Sequence, residues 1–116
     1  MNITRLQAKL ESFAAERDWN QFHSPKNLAM ALNVEASELM EHFQWLTQEQ
    51  STELGEDTRK AVATEIADVQ IYLLRLADML GIDIEQAVTE KMEENRAKYP
   101  AEKVRGSAAK YTEYQD

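Results

Sequence analysis

The sequence predicts an all-α fold, and three observations carry that expectation. Only three glycines and two prolines punctuate the 116 residues. Apolar side chains recur at i, i+3 and i+4, the helical period, instead of at every second residue as in a strand. Helix start and stop signals also fall at intervals that divide the chain into four segments.

Residues 3–17 form the first predicted helix, with Leu6, Leu10, Phe13 and Ala14 on one side. An aromatic connection over 18–23 follows. Ser24 offers an N-cap hydroxyl, and Pro25 stands at a first helical position where its missing N–H costs nothing, so a second helix opens here and runs to about residue 46. Polar residues 47–56, including Gly55, read as a loop. A third helix starts at Asp57 or Thr58 and reaches Leu80, with Gly81 as its C-cap. Asp83 and Gln86 match a capping box for a fourth helix over 84–98, which stops before Pro100. Residues 101–116 read as an extended tail, leaving 1–100 as the helical domain.

The third helix is apolar nearly all round, because Ala67, Ile71 and Leu74 lie outside the arc of its other apolar residues. Four helices in so short a chain would cover it poorly. Self-association as a homodimer or homotetramer, with this helix at the interface, is therefore expected; a monomer with a central helix is the alternative.

Composition narrows the function classes. Hydrophobic residues make up 43% and charged ones 29%, ordinary for a globular protein. The absence of cysteine excludes disulfides, thiolate nucleophiles and thiolate metal sites. Neither a signal peptide nor a membrane span is evident, so the cytoplasm is the expected location. A net charge of -8 disfavours binding to a nucleic-acid polymer or an acidic membrane, both of which need basic surface. A polyphosphate could still bind through cations, which reverse the local charge of an acidic cluster.

Such a cluster is written into the middle helices. Glu35-Ala36-Ser37-Glu38 and Glu65-Ile66-Ala67-Asp68 each set two carboxylates at i and i+3, on one face. Leu28, Ala31, Leu32, Leu39, Phe43 and Leu46 share the half-circle of Glu35. Ala61, Val62, Val69, Tyr72, Leu73, Leu76, Met79 and Leu80 share that of Glu65. A single Glu-x-x-Glu is usually a solvated face; two on apolar faces of adjacent helices point to a metal site. Carboxylates gathered there must be protonated, paired or metal-bound. Glu35, Glu38, Glu65 and Asp68 are thus predicted to hold Mg²⁺, a cation that takes oxygen ligands and is shared with substrate phosphates. Glu41, at the edge of the face, is either an accessory acid or a solvated residue.

The pattern Glu-x-x-Glu, 26 intervening residues, then Glu-x-x-Asp resembles the metal motif of the MazG-like all-α nucleoside triphosphate pyrophosphohydrolases. Arg17-Asp18-Trp19-Asn20-Gln21-Phe22-His23, Pro25-Lys26-Asn27-Leu28, Glu41-His42-Phe43-Gln44-Trp45, Tyr72-Leu73, Lys91-Met92, Asn95-Arg96, Lys98-Tyr99-Pro100 and Lys110-Tyr111 are similar to the dCTP pyrophosphatase branch. The likeness spans nearly the whole chain. It implies a MazG-like four-helix bundle and cleavage of a deoxynucleoside triphosphate, dCTP or a modified cytosine nucleotide, into monophosphate and pyrophosphate. The implied role is house-cleaning of the nucleotide pool. Bound Mg²⁺ would neutralise phosphate charge and acidify a water, with Glu38 orienting or deprotonating that water.

Two further groups are candidates for substrate contact. Trp19, Phe22, His23 and Trp45 read either as core or as stacking and hydrogen-bonding groups for a planar base. The resemblance implies the second role, for Trp19, Asn20, Gln21, Phe22, His23, Trp45 and Tyr72; the branch carries histidine where this chain has Leu10. Lys91, Asn95 and Lys98 share one side of the fourth helix, next to Arg96. They read either as a solvated face balanced by Glu90, Glu93 and Glu94 or, as the resemblance implies, with Lys91 and Asn95 reaching the triphosphate. Arg105, Lys110 and Tyr111 are expected to close over the site.

Two rival readings remain. A di-iron carboxylate bundle also collects acids from facing helices but uses Glu-x-x-His pairs, and His42 stands four residues after Glu38. A non-enzymatic helical module with an acidic groove for a basic partner is the other.

Overall fold

The structure, a computed structural model, describes residues 1–106. Every regular element among them is helical: α1 (Ile3–Glu16), α2 (Pro25–Glu41), α3 (Gln48–Ser51), α4 (Glu56–Met79), α5 (Ile84–Lys98) and α6 (Ala101–Val104), with a 3₁₀ turn at Asn20–Phe22. The four predicted helices are the four long ones. None is long and apolar enough to cross a membrane. The chain divides into two compact units, Met1–Ile82 and the residues from Asp83 onward.

In the first unit α2 lies along α4, and α1 also packs on α4. Local chemistry explains where each helix begins. The Asn2 side chain accepts from the Arg5 N–H, and Ser24 accepts from the Asn27 N–H with Pro25 in the first turn. Gly55 caps α4 without a side chain, and Glu56 and Asp57 place negative charge against the positive end of the helix dipole. Two helices end in Schellman motifs. Gly81 adopts φ 66°, and the Ile82 and Gly81 N–H groups return to the carbonyls of Ala77 and Asp78. After α1 the same geometry falls to Asp18, at φ 54°, with Trp19 and Asp18 donating to Ala14 and Ala15. Aspartate tolerates this left-handed conformation better than most side chains.

Two boundaries differ from expectation. The second helix ends at Glu41, not near residue 46, because the chain tightens: the His42 and Phe43 N–H groups bond Leu39 and Met40, and Leu46 bonds Phe43, in i→i+3 fashion. The expected loop 47–56 contains α3, opened by a reciprocal capping box between Thr47 and Gln50. A four-residue polar helix has no apolar period, so only the Thr-x-x-Gln spacing marks it.

Ala14, Leu28, Val62, Leu74 and Ala77 are buried, and so is Arg75. Within the single chain much apolar surface on and just after α4 is exposed, including Ile66, Ile71, Leu73, Met79 and Leu80.

In the second unit Asp83 caps α5 by accepting from the Gln86 N–H. The expected extended tail opens with the single turn α6 after Pro100. Lys110 and Tyr111 lie outside the described residues.

Candidate metal centre

Glu35 and Glu38 stand one turn apart on α2, and Glu65 projects from α4, which packs alongside. All three are half-buried, and one carboxylate oxygen from each lies within 4.8 Å of the others. Glu35 Oε2 and Glu65 Oε2 are buried and accept no hydrogen bond. Such oxygens have lost water without gaining a donor, which is unfavourable unless a proton or cation takes its place.

The electrostatics agree. Burial, a hydrogen bond with Glu38 that requires a proton between the two carboxyls, and repulsion from Glu38, Asp68 and Glu65 push the Glu35 carboxyl up to about 7. Asp68 is half-buried and its charge is felt at Glu35, but it is not one of the three mutually close ligands. An all-oxygen donor set with two orphaned oxygens suits a hard divalent cation such as Mg²⁺. Glu41, the last residue of α2, is exposed. His42 approaches Glu65 instead, its Nε2 3.8 Å from Oε1.

A second polar cluster lies toward the C-terminal end of α4. The buried Arg75 guanidinium forms an ion pair with Glu11 of α1. It also donates to Asn20 Oδ1 at 2.9 Å and lies 3.3 Å from His23 Nδ1, while Asn20 Nδ2 donates to Glu11 Oε1 at 3.1 Å. Sequence reasoning missed Glu11 and Arg75. The available signal was an arginine inside the run Tyr72-Leu73-Leu74-Arg75-Leu76-Ala77, where a charge needs a partner.

Other candidates are distributed unevenly. Trp19 packs edge-on against Phe13, with ring centroids 5.6 Å apart. Gln21 turns back on Asp18, donating to its carbonyl and carboxylate. Phe22 is exposed, and Tyr72 is half-buried one turn after Asp68. Trp45 is 87% exposed, which disfavours its core reading, and it lies beyond the end of α2 at Glu41. In the second unit Lys91 pairs with Glu94 at 3.4 Å, Lys98 with Glu94 at 2.7 Å and Arg96 with Glu93 at 3.1 Å, the self-balanced face that composition suggested. Asn95 is exposed.

The model of the MazG-like family matches residues 30–114, the stretch that carries all four acids. The chain belongs to the MazG-like family. Among MazG-like relatives, dCTP pyrophosphatase 1 of Mus musculus is 48% identical over 117 residues, and that of Homo sapiens 47% identical over 114. Each alignment takes in 97% of this chain but 65% of the relative, so the chain spans just under two thirds of their length. The crystal structure of a pyrophosphatase from Archaeoglobus fulgidus is 42% identical and superposes with a TM-score of 0.81, covering 86% of this MazG-like chain and 94% of that one.

Proposed function

We propose that this MazG-like protein is a Mg²⁺-dependent nucleoside triphosphate pyrophosphohydrolase that acts on dCTP or a modified cytosine nucleotide. The observation that carries the reading is the trio Glu35, Glu38 and Glu65, with two buried oxygens lacking any donor. Similarity to dCTP pyrophosphatases and to an archaeal pyrophosphatase supports the reaction class.

In this reading Glu35, Glu38, Glu65 and Asp68 hold the metal. When bound, Mg²⁺ supplies charge neutralisation for the phosphates and lowers the pKa of water. Glu38 orients the attacking water and takes its proton. The half-buried setting of the acids limits bulk water at the reacting phosphate. Trp45, Tyr72 and residues 19–23 contact the base and sugar; the exposed indole of Trp45 offers a face for stacking. Lys91 and Asn95 contact the triphosphate, with Lys91 leaving its ion pair to do so. Removal of surplus or noncanonical nucleotides is the corresponding role.

Self-association as a homodimer or homotetramer belongs to the same proposal. It is supported by the exposed Ile66, Ile71 and Leu73 on α4, an apolar surface of the kind that marks an interface.

The deciding experiment is pyrophosphate release from each of the four deoxynucleoside triphosphates with Mg²⁺ and with chelator. Faster release from dCTP, abolished by chelator, is expected. No release from any of them overturns the assignment.

A further inference from the structure

We propose that Arg75 is a positioning residue for nucleotide recognition: its guanidinium holds His23 as the Nε2–H tautomer, so that the ring offers a bound nucleotide a donor and never an acceptor. The proposal rests on the reading of residues 19–23 as nucleotide contacts.

The argument begins with the direction of one hydrogen bond. Arginine has donors only, so the 3.3 Å contact between Arg75 Nη2 and His23 Nδ1 makes Nδ1 the acceptor. A neutral imidazole carries one proton, and here it is left to Nε2. No hydrogen bond engages Nε2 among the described residues, and it is not one of their buried unpartnered atoms, so it is available to a ligand. A doubly protonated ring would set an N–H against the guanidinium. Burial of His23 and the positive charge of Arg75 both hold its pKa below the ordinary value, outweighing the opposing pull of Glu11. Those two are the charged groups acting on the ring, one from α4 and one from α1.

Arg75 is itself held in place. It is 2% exposed; Nη1 donates to Glu11 and Nη2 to Asn20, while the buried Nε has no partner. Asn20 also bonds Glu11, so one network braces the 3₁₀ turn against α1 and α4. Its location along α4 fits the role. Asp68, Tyr72 and Arg75 fall at i, i+4 and i+7 on one face, which sets Arg75 about 10.5 Å along the axis from Asp68. A nucleotide with its phosphates at the acids therefore extends its base toward His23. A fixed N–H there selects a carbonyl or ring-nitrogen acceptor on the base edge.

The test reads the tautomer directly. Long-range ¹H–¹⁵N spectra of the wild-type protein at pH 7 are expected to show His23 neutral with the proton on Nε2. A Nδ1–H ring or an imidazolium overturns the proposal, whatever any variant does. Arg75→Gln replaces a donor-only side chain with one whose carbonyl oxygen can accept from Nδ1–H. With its fold verified by circular dichroism, it is expected to populate the Nδ1–H form and to raise KM for dCTP roughly three- to tenfold, the scale of one hydrogen bond, with kcat within about twofold. An unchanged KM, or a fall in kcat alone, overturns it. Wild-type protein that hydrolyses no nucleotide overturns the hydrolase reading and the recognition half of this proposal together, whereas the spectrum tests the tautomer alone.

Discussion

Glu35 and Glu65 face each other from α2 and α4, each with its Oε2 buried and without a hydrogen-bond donor. In metal-free protein this is an electrostatic liability, and it is most costly when both groups are ionised. The proposed function turns that liability into affinity for a divalent cation.

Removing one ligand without changing its size is the direct consequence to check. Glu65→Gln is expected to lower pyrophosphate release by ~100-fold or more, since even groups one step removed from a metal are worth ~10–100-fold. Its far-ultraviolet circular dichroism should match the wild type. Full activity in this variant would show that Glu65 holds no required metal.

Metal binding should also register as stability. A ligand that binds only the folded state adds about 2.7 kcal/mol at a free concentration one hundred times its Kd. Mg²⁺ is therefore expected to raise the melting temperature of the wild type and to leave that of Glu35→Gln nearly unmoved. Equal shifts in both proteins would place the ion elsewhere.

The raised pKa of Glu35 has a defined sign. Between the ordinary value of 4.5 and about 7, the folded protein keeps a proton that the unfolded chain has lost. Its contribution to stability therefore falls as pH rises through this window. His23, whose pKa is lowered, acts in the opposite direction below 6.5, so the two must be separated by a variant. Without metal, Glu35→Gln is expected to melt above the wild type at pH 8 and close to it at pH 5. A difference independent of pH would refute the shift.

Trp45 separates binding from folding. Its side chain is 87% exposed, so Trp45→Ala should alter stability by no more than ~0.5 kcal/mol. Loss of a stacking face worth ~0.5–1.5 kcal/mol should raise KM for dCTP about two- to tenfold. Titration of both proteins with dCTP, alongside thermal melts, measures the two quantities.

Gly81 offers a purely conformational control. Its chain neighbours aside, no atom of the described residues lies within 4 Å of a Cβ placed there, so its φ of 66° is what opposes a side chain. Gly81→Ala is expected to cost ~1 kcal/mol in chemical denaturation, with metal-dependent activity intact.

Much of this architecture can be read from the residues before any coordinates are known. Ser24-Pro25, Gly81 and Asp83 mark helix ends by local chemistry, and local chemistry is what a sequence displays. The spacing of Glu35, Glu38 and Glu65 likewise encodes their meeting, because two helical periods suffice once α2 lies along α4. Features that depend on distant partners were hidden. The apolar run around Arg75 signals that its charge needs a partner, but not that Glu11 and Asn20 come to it from elsewhere in the chain. The early end of α2 was hidden for a different reason: residues 42–46 contain no glycine or proline, and the tightening of their backbone leaves no compositional trace.

The bond between Glu11 and Arg75 ties the two positions into a shared history. Substituting either one alone would strand a charge, or the groups that depend on it, at the junction of α1 and α4. Descendants of an ancestral MazG-like gene should therefore carry both residues or neither. A lineage that dispenses with the pair must orient its histidine by other means, and the nucleotides it prefers can drift accordingly.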